Sequence, residues 1–234
     1  MLREIVLDTE TTGLDPRRGD RLIEIGCIEL VNRIPTGNEF HRFVNPEREV
    51  PAEAEAVHGL STAFLADKPV FAEVAEDFLA FIGEDQLVIH NASFDVGFLN
   101  AELDRLGKGP ILMQRVVDTL MLARRKHPAG PNSLDALCKR YGIDNSNRIK
   151  HGALTDSLLL ADVYIELLGE RQAAMLLADA GKAPETKSAN RTQRRARQRP
   201  EPLPSALTAE DEARHAAFVQ TLGVNAIWLG SDKR

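Results

Sequence analysis

The chain has 234 residues, 43% hydrophobic and 27% charged, with 16 Gly, 12 Pro and a formal net charge of −6. That length holds one medium domain with extensions, or two small ones, and buries a real core. The apolar share excludes a wholly disordered chain, and no apolar run approaches the roughly 20 residues that would span a bilayer. Cys27 and Cys138 lie far apart without a C-x-x-C spacing, which excludes a disulfide scaffold and predicts two buried or inert thiols. The N-terminus reaches an acid, Asp8, within a short apolar run, unlike a secretory signal, so a cytoplasmic protein is expected.

The charge is unevenly spread. Between Gly181 and Pro200 stand seven basic residues (Lys182, Lys187, Arg191, Arg194, Arg195, Arg197, Arg199) against one acid, Glu185; that segment is +6 and the remainder of the chain −12. A body this acidic repels a polyanion at long range unless metal ions or a partner intervene.

Taken in chain order, residues 4–9 form a short apolar run ending in polar turn residues, which predicts a buried strand. Residues 22–31 and 39–44 predict two further strands, with a polar turn over 32–37. Val70, Val74, Phe78, Leu79 and Ile82 recur at helical spacing. A strand over 86–90 leads into a helix over 92–106, and a fifth strand is expected over 114–119. Helices over 133–141 and 153–168 follow, the second long and strongly apolar. Three strands in a row and then alternation of strands with helices imply an α/β domain on a mixed five-stranded sheet flanked by helices. This domain occupies residues 1–180. Residues 181–206 are polar, basic and Pro-rich and predict a flexible linker, and residues 207–234 regain apolar character as a short helical C-terminal segment.

The acids carry the chemistry. Asp8 and Glu10, in Asp8-Thr9-Glu10-Thr11-Thr12-Gly13, stand two apart at a strand end and therefore share a face. Two such carboxylates repel one another unless a divalent cation neutralises them, and hard oxygen ligands suit Mg²⁺ or Mn²⁺; a pair of exposed strand-end acids is the plainer alternative. Asp95 follows His90-Asn91-Ala92-Ser93-Phe94 in a first helical turn, where open α/β sheets place ligands and where a helix dipole also favours an acid. His151 and Asp156, in His151-Gly152-Ala153-Leu154-Thr155-Asp156, are five residues apart and share no helical face. His151 is therefore placed in the preceding loop, folding back over the pocket, and Asp156 on the first turn of the long helix. The loop over 142–150 is polar and expected to be mobile.

Together, the motifs DTETTG, HNASFD and HGALTD resemble those of the DEDDh 3′–5′ exonucleases, which share the ribonuclease H-like fold. The resemblance runs over residues 1–170 and implies metal-dependent phosphodiester hydrolysis. In such chemistry two cations about 3.5–4 Å apart activate a water and stabilise the leaving 3′ oxygen. The resemblance makes Asp8 the bridging ligand, with Glu10 and Asp156 completing one cation's shell and Asp95 holding the other. His151, of a residue type with an unperturbed pKa of about 6.5, is the expected general base. It further implies that Thr11, Glu53 and His58 contact the terminal nucleotide. Phe94 is either a base-stacking wedge or a core residue. The run Arg124-Arg125-Lys126-His127 is read as a solvated helix end rather than a contact to the DNA backbone.

The extra C-terminal segment sets the chain with polymerase-bound proofreading members of this group rather than with RNA-trimming ones, which generally consist of the catalytic domain alone. Thr208 is expected to cap a helix with Glu210, Asp211 and Glu212 in its first turn, and Phe218, Val219 and Leu222 form one apolar stripe. So short an element holds no core of its own, and the resemblance assigns it to the catalytic subunit of the replicative polymerase, with Trp228 as an anchor. Gln172-Ala173-Ala174-Met175-Leu176-Leu177 resembles the motif by which replication proteins engage the sliding clamp; Gln172, Met175, Leu176 and Leu177 are its matching residues. With 5% aromatic residues and an acidic body, the chain is expected to grip single-stranded or frayed 3′ ends weakly and to rely on partners for delivery. An RNA-processing or repair exonuclease and a non-catalytic adaptor between polymerase and clamp are the competing readings; the complete set of five site residues speaks against the adaptor.

Overall fold

A computed structural model of the chain describes residues 1–169, except 147 and 149, together with residues 207–222. The clamp-type motif at Gln172, Met175, Leu176 and Leu177, the linker over 181–206 and Trp228 lie outside the described residues. The strands are β1 (Arg3–Thr11), β2 (Leu22–Val31), β3 (Ile34–Phe43), β4 (Gln86–Ile89) and β5 (Val116–Asp118). The helices are α1 (Ala52–His58), α2 (Thr62–Leu65), α3 (Phe71–Ile82), α4 (Ala92–Arg105), α5 (Thr119–Lys126), α6 (Leu134–Tyr141), α7 (Ala153–Leu168) and α8 (Ala209–Thr221).

The strands form one mixed sheet in the order β3-β2-β1-β4-β5. β2 runs antiparallel to both β1 and β3, whereas β4 pairs parallel with β1 and β5 parallel with β4. The expected turn over 32–37 is shorter than its composition suggests. Asn32 and Arg33 take φ of 49° and 65°, the two-residue hairpin turn whose twist matches the flanking strands, and Val31 pairs with Ile34. Pro35 is tolerated in β3 because this is the edge strand, next to a register shift between Ile28 and Leu30. The short helices α1 and α2 have too few apolar positions to show a period and are absent from the sequence reading. Glu53 and Glu55 complement the N-terminus of α1, and Gly59 ends it at φ 80°.

Alternation along β1 divides the core. Ile5 and Leu7 pack with α3 and α4 through Phe78, Val96 and Leu99, whereas Val6 packs with α7 through Leu160 and Tyr164. α7 is buried nearly all round because α5 and α6 cover its far side through Ala123, Leu137 and Cys138. Its entry onto the sheet depends on Gly26 of β2, which pairs with Asp8. A Cβ at Gly26 would lie 2.3 Å from the Ala153 carbonyl carbon and the Leu154 nitrogen, and the Ser157 hydroxyl donates to the Gly26 carbonyl at 2.9 Å. Gly26→Ala is accordingly expected to cost about 1–3 kcal/mol, as overpacking against backbone does; calorimetry should show a melting temperature several degrees lower.

Both cysteines are buried and free. The basic helix end is exposed at Arg124, Arg125 and Lys126, as expected of a solvated end. Two of its groups also tie elements together: Lys126 Nζ donates to the Glu166 and Leu167 carbonyls at 2.7 and 3.1 Å, closing the last turn of α7, and the His127 ring bonds the Tyr141 hydroxyl at 2.7 Å. In the C-terminal segment, Thr208 caps α8 in a reciprocal capping box with Asp211. On that helix Phe218 is 60% exposed and Val219 is buried, and Leu222, its C-cap, is 46% exposed. No helix among the described residues is long and apolar enough to cross a membrane.

Candidate active site

The site is built around the tip of β1. Strand alternation turns Asp8 and Glu10 to the α7 side, with Val6, and Thr9 to the α4 side. β4 ends at Ile89, and two residues on, Asn91, with a φ of 63°, turns the chain sharply enough for α4 to begin at Ala92. Asp95 thereby falls in the first turn of α4, buried, and Asp95 Oδ1 accepts from Thr9 Oγ1 at 2.7 Å and from the Thr9 backbone N–H at 3.1 Å. From the opposite side, the approach over Gly26 brings Asp156, buried in the first turn of α7.

His151 stands in the loop before α7, its backbone N–H donating to the Val57 carbonyl at 3.3 Å. Its Nδ1 lies 3.3 Å from Asp156 Oδ2, with the side chain half exposed. Glu10, His151 and Asp156 each offer one ligand atom, all within 4.8 Å of one another. Thus the five residues singled out in the sequence converge from three elements and one loop.

The electrostatics is that of crowded acid. Burial, and then the charges of Asp95, Glu10 and Asp156, push Asp8 well above the usual carboxylate range. Glu10 is pushed up to about 8 by burial and then by Asp156 and Glu24. Asp95 is raised to about 7 by burial, against the lowering effect of its Thr9 hydrogen bonds. A cluster of this kind, all hard oxygen with one imidazole, fits divalent cations such as Mg²⁺ or Mn²⁺, whose charge lets every carboxylate ionise.

Beside the acids opens a cleft of about 500 Å³ lined by Glu10 together with Thr11, Glu53 and His58, the three residues expected at the nucleotide, and by Phe94. Leu14 and Val57, both exposed, add an apolar rim. His58 is buried; its Nδ1 accepts from the Leu60 N–H at 3.0 Å, so Nε2 carries the ring proton, and Nε2 has no partner. Burial lowers its pKa and keeps the ring neutral, a donor ready for a ligand. Phe94 is half-buried, its ring centroid 5.0 Å from that of Phe98, so it is both packed and presented to the cleft.

Three contributors escape a reading of the sequence. Thr9 holds Asp95. Glu24, buried on β2 opposite Glu10, adds a charge that raises Glu10 and binds His41 at 2.7 Å. Arg148, in the loop expected to be mobile, is instead buried to 6% exposure of its side chain and bonded to Asp135 and Asp156.

This fold and this constellation define a metal-dependent exonuclease of the DEDDh type, and the chain belongs to the exonuclease family, whose family model matches residues 5–164. Within that family it falls with the DNA polymerase III epsilon subunits. It is 44% identical over 236 residues to DNA polymerase III subunit epsilon of Escherichia coli, covering 97% of each chain. With the subunit of the same name from Rickettsia conorii it shares 54% identity over 181 residues, 76% of this chain and 79% of the relative. Among solved structures, Exonuclease X in complex with 5′ overhanging duplex DNA superposes with a TM-score of 0.58 at 27% identity, over 72% of this chain and 93% of the other.

Proposed function

We propose that the chain is a proofreading 3′–5′ exodeoxyribonuclease of the replicative DNA polymerase that releases mispaired 3′-terminal nucleotides as deoxynucleoside monophosphates. The observation that carries this reading is the convergence of four carboxylates and His151 at the tip of β1, beside a cleft of nucleotide size. Asp8, Glu10, Asp95 and Asp156 would hold two divalent cations, Mg²⁺ or Mn²⁺. When bound, these supply Lewis-acid activation of water and charge stabilisation at the leaving oxygen.

The chain's own groups do the remainder. His151, at the open side of the cluster, takes up the proton of the attacking water on a ring nitrogen. The neutral His58 Nε2–H and the backbone at Thr11 hold the terminal nucleotide, Glu53 borders it, and Phe94 stacks on a base, a contact indifferent to sequence. A mispaired end unstacks more readily than a paired one, so selectivity arises from the frayed end and needs no base reading.

The test is a time course on a 5′-labelled primer, paired and 3′-mismatched, with Mg²⁺, Mn²⁺ or EDTA. Wild type should give a one-nucleotide ladder that is faster on the mismatch and requires metal, and His151→Ala should slow it by about 10²–10⁴-fold, the usual contribution of a general base. Trimming of RNA in preference to DNA would instead make it an RNA-processing member of the group.

The C-terminal segment is read as the contact to the α catalytic subunit of DNA polymerase III, and Gln172–Leu177 as a contact to the sliding clamp, with both sites of action cytoplasmic. The exposed pair of Phe218 on α8 and Leu222 at its C-cap supports the first. Replacing both by Ser should weaken binding to the polymerase catalytic subunit at least about tenfold in surface plasmon resonance, because apolar anchors dominate such interfaces.

A further inference from the structure

Arg148 reaches into the acid cluster and bonds three groups at once. Its Nε donates to Asp156 Oδ1 at 2.5 Å and its Nη2 to Asp156 Oδ2, so both oxygens of that carboxylate are engaged by one guanidinium. The same Nη2 donates to His151 Nδ1 at 2.7 Å, and Nη1 donates to Asp135 Oδ1 at 2.6 Å, which ties the arginine to the first turn of α6. This fork is the bidentate geometry that only arginine offers to a carboxylate.

Two consequences follow from the chemistry of these contacts. The guanidinium occupies one lone pair on each Asp156 oxygen and so blocks the bidentate face of the carboxylate, and a divalent cation on the remaining lone pairs would place a second positive charge on one buried carboxylate, so arginine and cation compete. With Nδ1 accepting from Arg148, a neutral His151 carries its proton on Nε2 and keeps no free lone pair to receive another.

We infer that Arg148 is a positioning residue that neutralises Asp156 and caps His151 until a divalent cation takes the carboxylate, so that cation binding and release of the base are one event. This rests on the metal-dependent reading of the site. It makes Arg148 an internal cation that holds the acids together at low metal and withholds the base from an incompletely loaded site. Asp135, more than half exposed and outside the proposed ligand set, sets how firmly the arginine is held.

Isothermal titration of Mn²⁺ into the full chain reads the competition without any turnover. Arg148→Gln should bind Mn²⁺ at least about tenfold more tightly than wild type, since the two charge-assisted bonds to Asp156 no longer have to be displaced. Arg148→Lys, which keeps a cation, should return affinity towards wild type. Asp135→Asn, which loosens the arginine without altering a proposed ligand, should tighten binding by a smaller factor and guards against misfolding of the Gln variant. The ring ¹⁵N signals of His151 at fixed pH should move towards a free Nδ1 lone pair in Arg148→Gln, and Mg²⁺ should move them the same way in wild type.

Equal or weaker Mn²⁺ binding in both Arg148→Gln and Asp135→Asn, or His151 signals that Mg²⁺ leaves unmoved, would overturn the inference. Failure of the underlying reading looks different: wild type itself would bind no Mn²⁺, or would bind it unchanged in Asp8→Ala, and the competition would then have no object.

Discussion

Asp8→Asn should abolish primer cleavage, by at least about a thousandfold, while raising the melting temperature measured in EDTA. The loss follows from the place of Asp8 in the cluster: it is buried, and the charges of Asp95, Glu10 and Asp156 from the neighbouring elements all act on it, which fits it as the ligand between two cations. Cation stabilisation of the developing charge is worth several kcal/mol, and about 4 kcal/mol is a factor of about 10³ in rate. The gain in stability follows from the same geometry. Burial and neighbouring acids hold Asp8 well above the ordinary carboxylate range, so in the absence of cations it opposes folding at neutral pH. Asparagine keeps the shape and removes the charge. An active site built from mutually repelling groups is a site where function and stability diverge. Binding to the polymerase catalytic subunit should survive in this variant, because the proposed contact lies in the C-terminal segment; loss of both together would count against separate modules. A variant that keeps measurable cleavage would remove Asp8 from the ligand set.

Most of the site was legible because its residues obey short-range periods. Two acids two apart on a strand must share a face, and Asp8 and Glu10 do. A first-turn acid on a helix that follows a strand must sit at the sheet's edge, and Asp95 does; Asp156 is also in a first turn, but α7 follows α6 and reaches the site by packing over Gly26. The placement of His151 off the helix came from angular spacing alone, and the helix indeed begins at Ala153. What was not legible depends on contacts across long sequence distances. The need for Gly26 is visible only when α7 lies against it. Thr9 looked like a spacer between two acids until Asp95, 86 residues away, accepted its hydrogen bonds. Arg148 stood in a polar stretch without periodicity, and polarity there reads as mobility; its burial comes from Asp135 and Asp156 lying on two different helices. β3 was predicted five residues short, because Pro35, Thr36 and Gly37 carry turn composition yet lie on an edge strand that tolerates them.

In EDTA, stability should fall as pH rises from about 5 towards 8, opposite in sign to the behaviour of most carboxylates, and saturating Mg²⁺ or Mn²⁺ should remove that fall. Unfolded Asp and Glu titrate at about 3.9 and 4.3. In the folded chain, Glu10 titrates at about 8 and Asp95 at about 7, with Asp8 also raised. Between the unfolded and folded values the native state therefore holds more protons than the unfolded one, and the slope of unfolding free energy with pH is negative. The stability these protonated acids allow is fully present below about pH 4 and is lost as pH passes through 7 and 8. Each unit of raised pKa corresponds to about 1.4 kcal/mol, and 1 kcal/mol moves the melting temperature of a chain this size by about 2–4 °C. Even a single unit surviving mutual compensation gives a fall of about 3–6 °C across that range. Cations reverse the preference by stabilising the ionised carboxylates, so the metal-induced rise in melting temperature should itself grow with pH, because fewer protons then have to be displaced. Thermal melts from pH 5 to 8.5, with EDTA and with Mg²⁺, read both effects. Below about pH 6.5 the lowered pKa of buried His58 works in the opposite direction, so the decisive range is about pH 7 to 8.5, where a rise in EDTA stability would mean that the acids are not held close enough to repel. In Asp8→Asn the fall should be shallower, since one of the repelling charges is gone and its neighbours ionise more easily.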